Sequence, residues 1–103
     1  MIIERTFYYA KPGREKEVLD LRIQGCLLRE KIGLQSGEVF VKTEGGMGGQ
    51  ADVTWQCWFR TKEDRDADLE ARNNSQEFVD LRHKMWEQAT SVGMHVFEQV
   101  MFK

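Results

Sequence analysis

The chain offers little from which to build a metal or redox centre. Cysteine occurs twice, as Cys26 and Cys57, far apart and without a C-x-x-C pair or a Cys/His cluster. That spacing argues against a disulfide framework or a metal site and leaves two buried free thiols as the expectation. Basic residues do not gather either. The 15 Lys+Arg stand against 17 Asp+Glu for a formal net charge of -2, and no segment is strongly basic, so nucleic acid is not an expected partner. Charges interrupt every hydrophobic stretch well short of the ~18 apolar residues that a bilayer span requires, so no membrane partner is expected. From Met1 onward there is no basic lead, no apolar run of roughly 7 to 15 residues and no small-residue cleavage site. A cytoplasmic protein is the expectation.

What is present is ordinary globular material, 41% apolar and 31% charged with 11% aromatic residues over 103 positions, too aromatic for a disordered tail. One domain, 1–103, is expected, and a domain of this size buries only about two-thirds of the surface its unfolded chain exposes. Ile2 to Ala10 is rich in β-branched and aromatic residues and is closed by Lys11-Pro12-Gly13, a strand followed by a turn. From Arg14 to about Ile32, Val18, Leu21, Leu28 and Ile32 recur at helical spacing around Gly25, and Gly33 supplies the stop. Ser36 to Glu44 and Ala51 to Arg60 read as two strands. The glycine-rich run Gly45 to Gly49 between them lacks the G-x-G-x-x-G spacing of a phosphate loop and suits a mobile hairpin or a lid.

Thr61 with Asp64 in an acidic first turn is a helix start. Asn73-Asn74-Ser75 interrupts that helix, and Ser75 caps a new segment whose face is Phe78, Leu81, Met85, Ala89 and Val92, ended by Gly93. Met94 to Phe102 is then the last strand. The order is β-α-β-β-α-β, an α+β, ferredoxin-like plan with a four-stranded antiparallel sheet.

In that plan both helical segments cover one sheet face, so a monomer should carry a polar second face. The pattern is apolar on both. Strand one sets Ile3, Phe7 and Tyr9 against Ile2, Tyr8 and Ala10; strand three sets Val53, Trp55, Cys57 and Phe59 against Trp58. Leftover apolar surface of this extent predicts a homodimer in which two sheets pack into an α/β barrel.

The residues Ile3-Glu4-Arg5-Thr6-Phe7-Tyr8, with Lys11-Pro12-Gly13-Arg14 after them, resemble the opening of NIPSNAP-like proteins. The junction Trp58-Phe59-Arg60-Thr61-Lys62-Glu63-Asp64 and the helix restart Ser75-Gln76-Glu77-Phe78 are similar to those of the wider dimeric α/β-barrel superfamily, whose members include cofactor-independent monooxygenases of polyketide-like phenols, haem-degrading enzymes, lactone isomerases and proteins without known activity. The resemblance implies a pocket between sheet and helices. Matched to the haem-degrading branch, its Asn, Trp and His fall on Thr6, Phe59 and Arg82, and all three depart; haem breakdown is disfavoured and no cofactor is expected. The same matching turns Glu4, Thr6, Tyr8, Trp55, Cys57 and Phe59 toward the helices and Arg5, Phe7, Tyr9 and Trp58 toward a partner copy.

On that pocket face Glu4 either pairs with an arginine or carries a raised pKa suited to proton transfer. Tyr8 and Trp55 offer flat surfaces with one polar atom each to an aromatic ligand, against ordinary core packing. Thr6 and Phe59 are further candidate ligand contacts by the match. Arg82 lies about 40° from Phe78 on the inward side of its helix, and Arg22 and Arg29 border the first helical stripe. Their stems either lie on apolar surface with the guanidinium in water or form a cationic rim for an acidic ligand. His83 points away from its helix's apolar face and His95 shares a strand face with Phe97, so neither is a base to build on. Two functions remain open: a NIPSNAP-like protein binding a small aromatic or anionic metabolite, or a monooxygenase with Glu4 as base and Tyr8, Trp55 and Arg82 orienting the substrate. A lactone isomerase is a distant third.

Overall fold

Nine consecutive residues, mostly β-branched or aromatic, make β1 (Ile2–Ala10) an interior strand of the sheet. It pairs antiparallel with β3 (Val53–Phe59) from Ile2↔Phe59 to Tyr8↔Val53, and with β4 (Ala89–Glu98) from Ile2↔Glu98 to Ala10↔Ala89. The short β2 (Glu38–Val41) adds to the outer edge of β3, giving the order β2-β3-β1-β4. The computed structural model describes residues 1–45 and 49–103. Gly46, Met47 and Gly48, on which the hairpin or lid expectation falls, lie outside the described residues.

Gly13, at φ 79°, turns the chain from β1 into α1 (Glu15–Lys31), and Gly33, at φ 84°, ends that helix, with Leu34 N–H donating to the Arg29 carbonyl at 2.8 Å. The side chain of Thr61 accepts from Asp64 N–H and opens α2 (Lys62–Asn73); that of Ser75 accepts from Phe78 N–H and opens α3 (Gln76–Gln88). β2 is shorter than the sequence predicts because Gly37 stands at φ 75°, outside the strand region. A Cβ there would collide with the Trp55 indole and the Gln56 carbonyl, so only glycine lets this edge close over Trp55.

One boundary needs correction. The last helix stops at Gln88, and β4 starts at Ala89 and ends at Glu98, so Ala89 and Val92 are strand residues and Gly93 lies inside the strand. The spacing of Met85, Ala89 and Val92 suits a helix, but Thr90, Ser91 and Val92 are poor helix formers and Phe7 to Ala10 of β1 would otherwise lack a partner on the side away from β3. Tyr9 pairs with Ser91 and Ala10 with Ala89 across a register irregularity, and Thr90 Oγ1 donates to the Tyr9 carbonyl at 3.0 Å. Tertiary pairing outweighs the local pattern.

The sheet faces fall as expected. Glu4, Thr6, Tyr8, Val53, Trp55, Cys57 and Phe59 are buried beneath the helices, whereas Arg5, Phe7 and Tyr9 are half-buried and Phe40, Trp58 and Phe97 are exposed on the other face. The molecule is only 17 Å across its thinnest axis, one layer of helices on one side of one sheet.

Candidate functional site

Between the sheet and all three helices lies a cavity of about 350 Å³. β1 contributes Glu4, Thr6 and Tyr8, β3 contributes Trp55, and Leu21, Phe78, Leu81 and Met85 give the helical side an apolar wall. Trp86, roughly half exposed, stands at its rim. Its volume is at the small end of the roughly 300–1,000 Å³ typical of ligand pockets.

The roof is set by α2, a helix with almost no apolar side. Its sequence, KEDRDADLEARN, puts Arg65, Asp68 and Arg72 at spacings of three and four, hence on one face. That face docks by charge. Arg65 Nε donates to Glu4 Oε1 at 2.8 Å, and Arg72 Nη2 lies 2.9 Å from Glu4 Oε2. Asp68 accepts from Arg29 Nη1 at 3.0 Å and Nη2 at 2.7 Å, a bidentate pair whose side chains are 0% and 7% exposed, and Arg72 Nη1 sits 3.5 Å from the same carboxylate. The five residues Arg65, Glu4, Arg72, Asp68 and Arg29 form one chain of alternating charge that ties β1, α1 and α2 together. Burial on its own would raise the Glu4 carboxyl, but the hydrogen bonds and charge of Arg72, then of Arg65, hold it below its ordinary value. Of the two readings of Glu4, pairing is the one seen. A carboxylate held low with both oxygens engaged is a weak proton acceptor.

Arg29 is correspondingly a structural residue. Its guanidinium lies 4.7 Å from the centre of the Trp55 ring and its Nε donates to the Gln35 carbonyl at 2.6 Å. Of the two readings of Arg22 and Arg29, the one in which their guanidinium groups reach water is excluded, since both are buried. The buried line of α1 is Val18, Arg22, Gly25 and Arg29, so the arginines lie on the inward stripe and Asp68 and Tyr8 supply the polar partners that permit it.

Arg22 differs from Arg29 in having no carboxylate. Its Nη1 donates to Tyr8 Oη at 2.9 Å, and its guanidinium lies over Trp55, 5.0 Å from the ring centre. Its Nε and Nη2 are buried and have no hydrogen-bond partner among the described residues. Gly25 makes the room: a Cβ there would stand 2.7 Å from Arg22 Nη2. Arg82 also lines the cavity, with Nη2 donating to Asn73 Oδ1 at 2.7 Å and the guanidinium 5.6 Å from the Phe78 ring centre. Burial, then the charge of Arg72, lowers its pKa from the ordinary arginine value.

The cavity therefore brings Glu4, Thr6, Tyr8, Arg22, Trp55 and Arg82 together and leaves Phe59 out. Phe59 packs in the core at the end of β3, opposite Ile2 and two inward positions beyond Trp55. Trp55 is a platform for guanidinium groups, and its Nε1 donates to the Ser36 carbonyl at 2.9 Å, so its polar atom is occupied. His83 is exposed beside Trp86, and His95 lies on the outer face between Phe7 and Phe97. Sequence reasoning missed Arg65, Asp68 and Arg72, although their spacing on an otherwise polar helix was a signal. The position that the resemblance gives to an iron-ligating imidazole holds the Arg82 guanidinium, which does not fit haem. Among the described residues no group of three or more His, Cys, Asp or Glu could hold a metal ion, and no helix is long and apolar enough to cross a membrane.

No family model matches the chain, and no curated protein matches it. Solved structures do. A NIPSNAP family protein from Agrobacterium tumefaciens is similar at 16% identity and a TM-score of 0.74, over 99% of this chain and 88% of that one. An antibiotic biosynthesis monooxygenase is similar at 13% identity and a TM-score of 0.72, over 98% and 100%. A dimeric protein of unknown function and ferredoxin-like fold from Bacteroides fragilis is similar at 13% identity and a TM-score of 0.66, over 95% of each chain. At these identities the likeness is one of fold: the chain has the ferredoxin-like α+β fold that these proteins share.

Proposed function

We propose that the chain works as a homodimer of the dimeric α/β-barrel type and binds a small organic metabolite, one per subunit, in the cavity between sheet and helices. The observation that carries the binding reading is that an apolar-walled cavity offers no free base among the described residues. Glu4 is held by two arginines, Tyr8 Oη accepts from Arg22, and no histidine lines the cavity. Such a site orients a ligand more readily than it moves a proton. The dimer is supported by the uncovered sheet face. Phe40, Trp58 and Phe97 are exposed there, and some of its polar groups are already paired with one another: Arg5 Nε donates to Gln56 Oε1 at 3.2 Å and Gln56 Nε2 to Glu38 Oε1 at 3.0 Å. The Bacteroides fragilis protein of the same fold is described as dimeric, which agrees.

The likeness to an antibiotic biosynthesis monooxygenase supports a second reading, in which the bound molecule is a phenol whose own anion reduces oxygen and the protein supplies position and a dry cavity. One experiment separates the two. The protein is incubated with a panel of small phenols and aromatic acids, and binding is followed by tryptophan fluorescence while an electrode follows oxygen. Saturable binding without oxygen uptake supports the binding protein; uptake above the protein-free rate supports the enzyme. Absence of binding by every member argues against both.

A further inference from the structure

The two unpartnered atoms of Arg22 are its Nε and Nη2, and they are the two whose N–H bonds leave the guanidinium parallel along one edge. That edge is the half of the arginine fork that receives both oxygens of a carboxylate. Its other side is fixed, since Nη1 is held by Tyr8 Oη and the plane rests over Trp55. Arg22 is 7% exposed and lines the cavity, with the free Nε and Nη2 buried just beneath its wall, so a ligand meets them when the guanidinium edge tips toward the cavity. A buried guanidinium with two donors unmet is costly unless a ligand meets them. The surrounding charge points the same way. Glu4 and Asp68 are shared by Arg29, Arg65 and Arg72, and neither Arg22 nor Arg82 has a carboxylate within salt-bridge distance among the described residues, so the walls carry an excess of positive charge.

We infer that the ligand of this cavity is a small apolar carboxylate, its two oxygens on the Nε and Nη2 edge of Arg22 and its ring-sized body against Leu21, Phe78, Leu81 and Met85. This deepens the reading of the cavity as a ligand site and rests on it. A carboxylate fits better than a phosphate because the free donors lie along one edge in one plane, whereas a tetrahedral dianion needs donors on several sides and a wetter wall. Gly25 is the residue that fixes specificity, because any side chain there would push Arg22 Nη2 from its place. Arg82, bonded to Asn73 at 2.7 Å, adds field at the ligand.

The test is calorimetric titration of the full chain at low ionic strength with benzoate, phenylacetate, their neutral amides and inorganic phosphate. The acids are expected to bind at least about tenfold more tightly than the amides, the scale of a bidentate charged pair in a dry site. Arg22→Met is expected to abolish that preference, Arg22→Lys to restore part of it, and Gly25→Ala to weaken the acids while leaving the amides within about threefold. If Arg22→Met does not fold, the acid-to-amide ratio in the native chain and its change in Gly25→Ala decide alone. Acids and amides binding equally, or phosphate as tightly as benzoate, overturns the carboxylate assignment and leaves the cavity a ligand site. Failure of all four organic probes to bind removes the ligand site as well.

Discussion

Asp68→Ala is the substitution whose cost the structure sets most clearly. The carboxylate accepts two hydrogen bonds from Arg29, at 3.0 and 2.7 Å, and faces Arg72 at 3.5 Å. Truncation leaves the Arg29 guanidinium, fully inaccessible to solvent, without a counter-charge. Removing one partner of a buried pair costs about 3–5 kcal/mol, out of the ~5–15 kcal/mol that holds a native domain together. For a chain of this size that should lower Tm by at least about 12 °C. Asp68→Asn keeps an acceptor and should cost less, about 1–3 kcal/mol. The double substitution Arg29→Met with Asp68→Leu removes both charges and should recover most of the loss, because well-packed apolar replacements of a buried ion pair are often neutral. Urea denaturation of the native chain, Arg29→Met, Asp68→Leu and their double yields the coupling between the two positions. A loss below about 1 kcal/mol in Asp68→Ala, or strict additivity in the double mutant, would refute the claim that α2 is docked by charge.

Three further outcomes follow from the same geometry. Because the Glu4 carboxyl is held below its unfolded value of about 4.5, its pairing with Arg72 and Arg65 contributes stability that is present above that pH and is lost as the pH falls through the lowered value. The stability gap between the native chain and Glu4→Gln, about 1.5–3 kcal/mol at pH 7 for a buried hydrogen bond to a charged group, should shrink below about pH 4.5 in urea titrations; a constant gap would contradict the pairing. Burial raises the Cys57 thiol despite the nearby Arg29 charge, so a disulfide-exchange reagent at neutral pH should modify the half-buried Cys26 first and reach Cys57 only as the chain unfolds, and equal rates would count against it. Trp58→Glu places a charge on the uncovered sheet face and should convert a dimer into a folded 12.1 kDa particle by light scattering; an unchanged dimer would move the interface elsewhere.

Much of the fold was legible in the sequence because its signals are local. Thr61 and Ser75 cap helices where the residue types say they should, Gly33 ends α1 at a positive φ, and the period-two alternation along β1 and β3 sorts residues onto two faces, of which the resemblance identified the inward one. The α3-to-β4 boundary was not local. Met85, Ala89 and Val92 satisfy helical spacing, and only pairing with the far end of β1 draws Ala89 into a strand. The inside of the site was legible in part. Glu4, Thr6, Tyr8, Trp55 and Arg82 line the cavity that the resemblance implied. For Arg22 and Arg29 the sequence left two readings, stems reaching water or a cationic rim, because a lone arginine on an apolar stripe ordinarily does reach water. The partner that buries Arg29 is 39 residues away on another helix, and Arg65, Asp68 and Arg72 drew no notice on a helix with so few apolar residues. Which charges are complementary across elements becomes visible only once the helices are stacked.

Arg22 keeps a free, buried donor edge at the cavity wall, while Arg29 and Arg72 are satisfied within the protein, and this difference singles it out as the ligand's anchor. That role is tested most directly by following the arginine Nε–H resonances of isotope-labelled protein by NMR during titration with phenylacetate, with Arg22 assigned by its loss in Arg22→Lys. The account predicts that the Arg22 Nε–H signal moves strongly and saturably while those of Arg29, Arg65 and Arg72 stay nearly fixed. A saturable titration that leaves the Arg22 signal in place, or moves the Arg29 signal most, would contradict it.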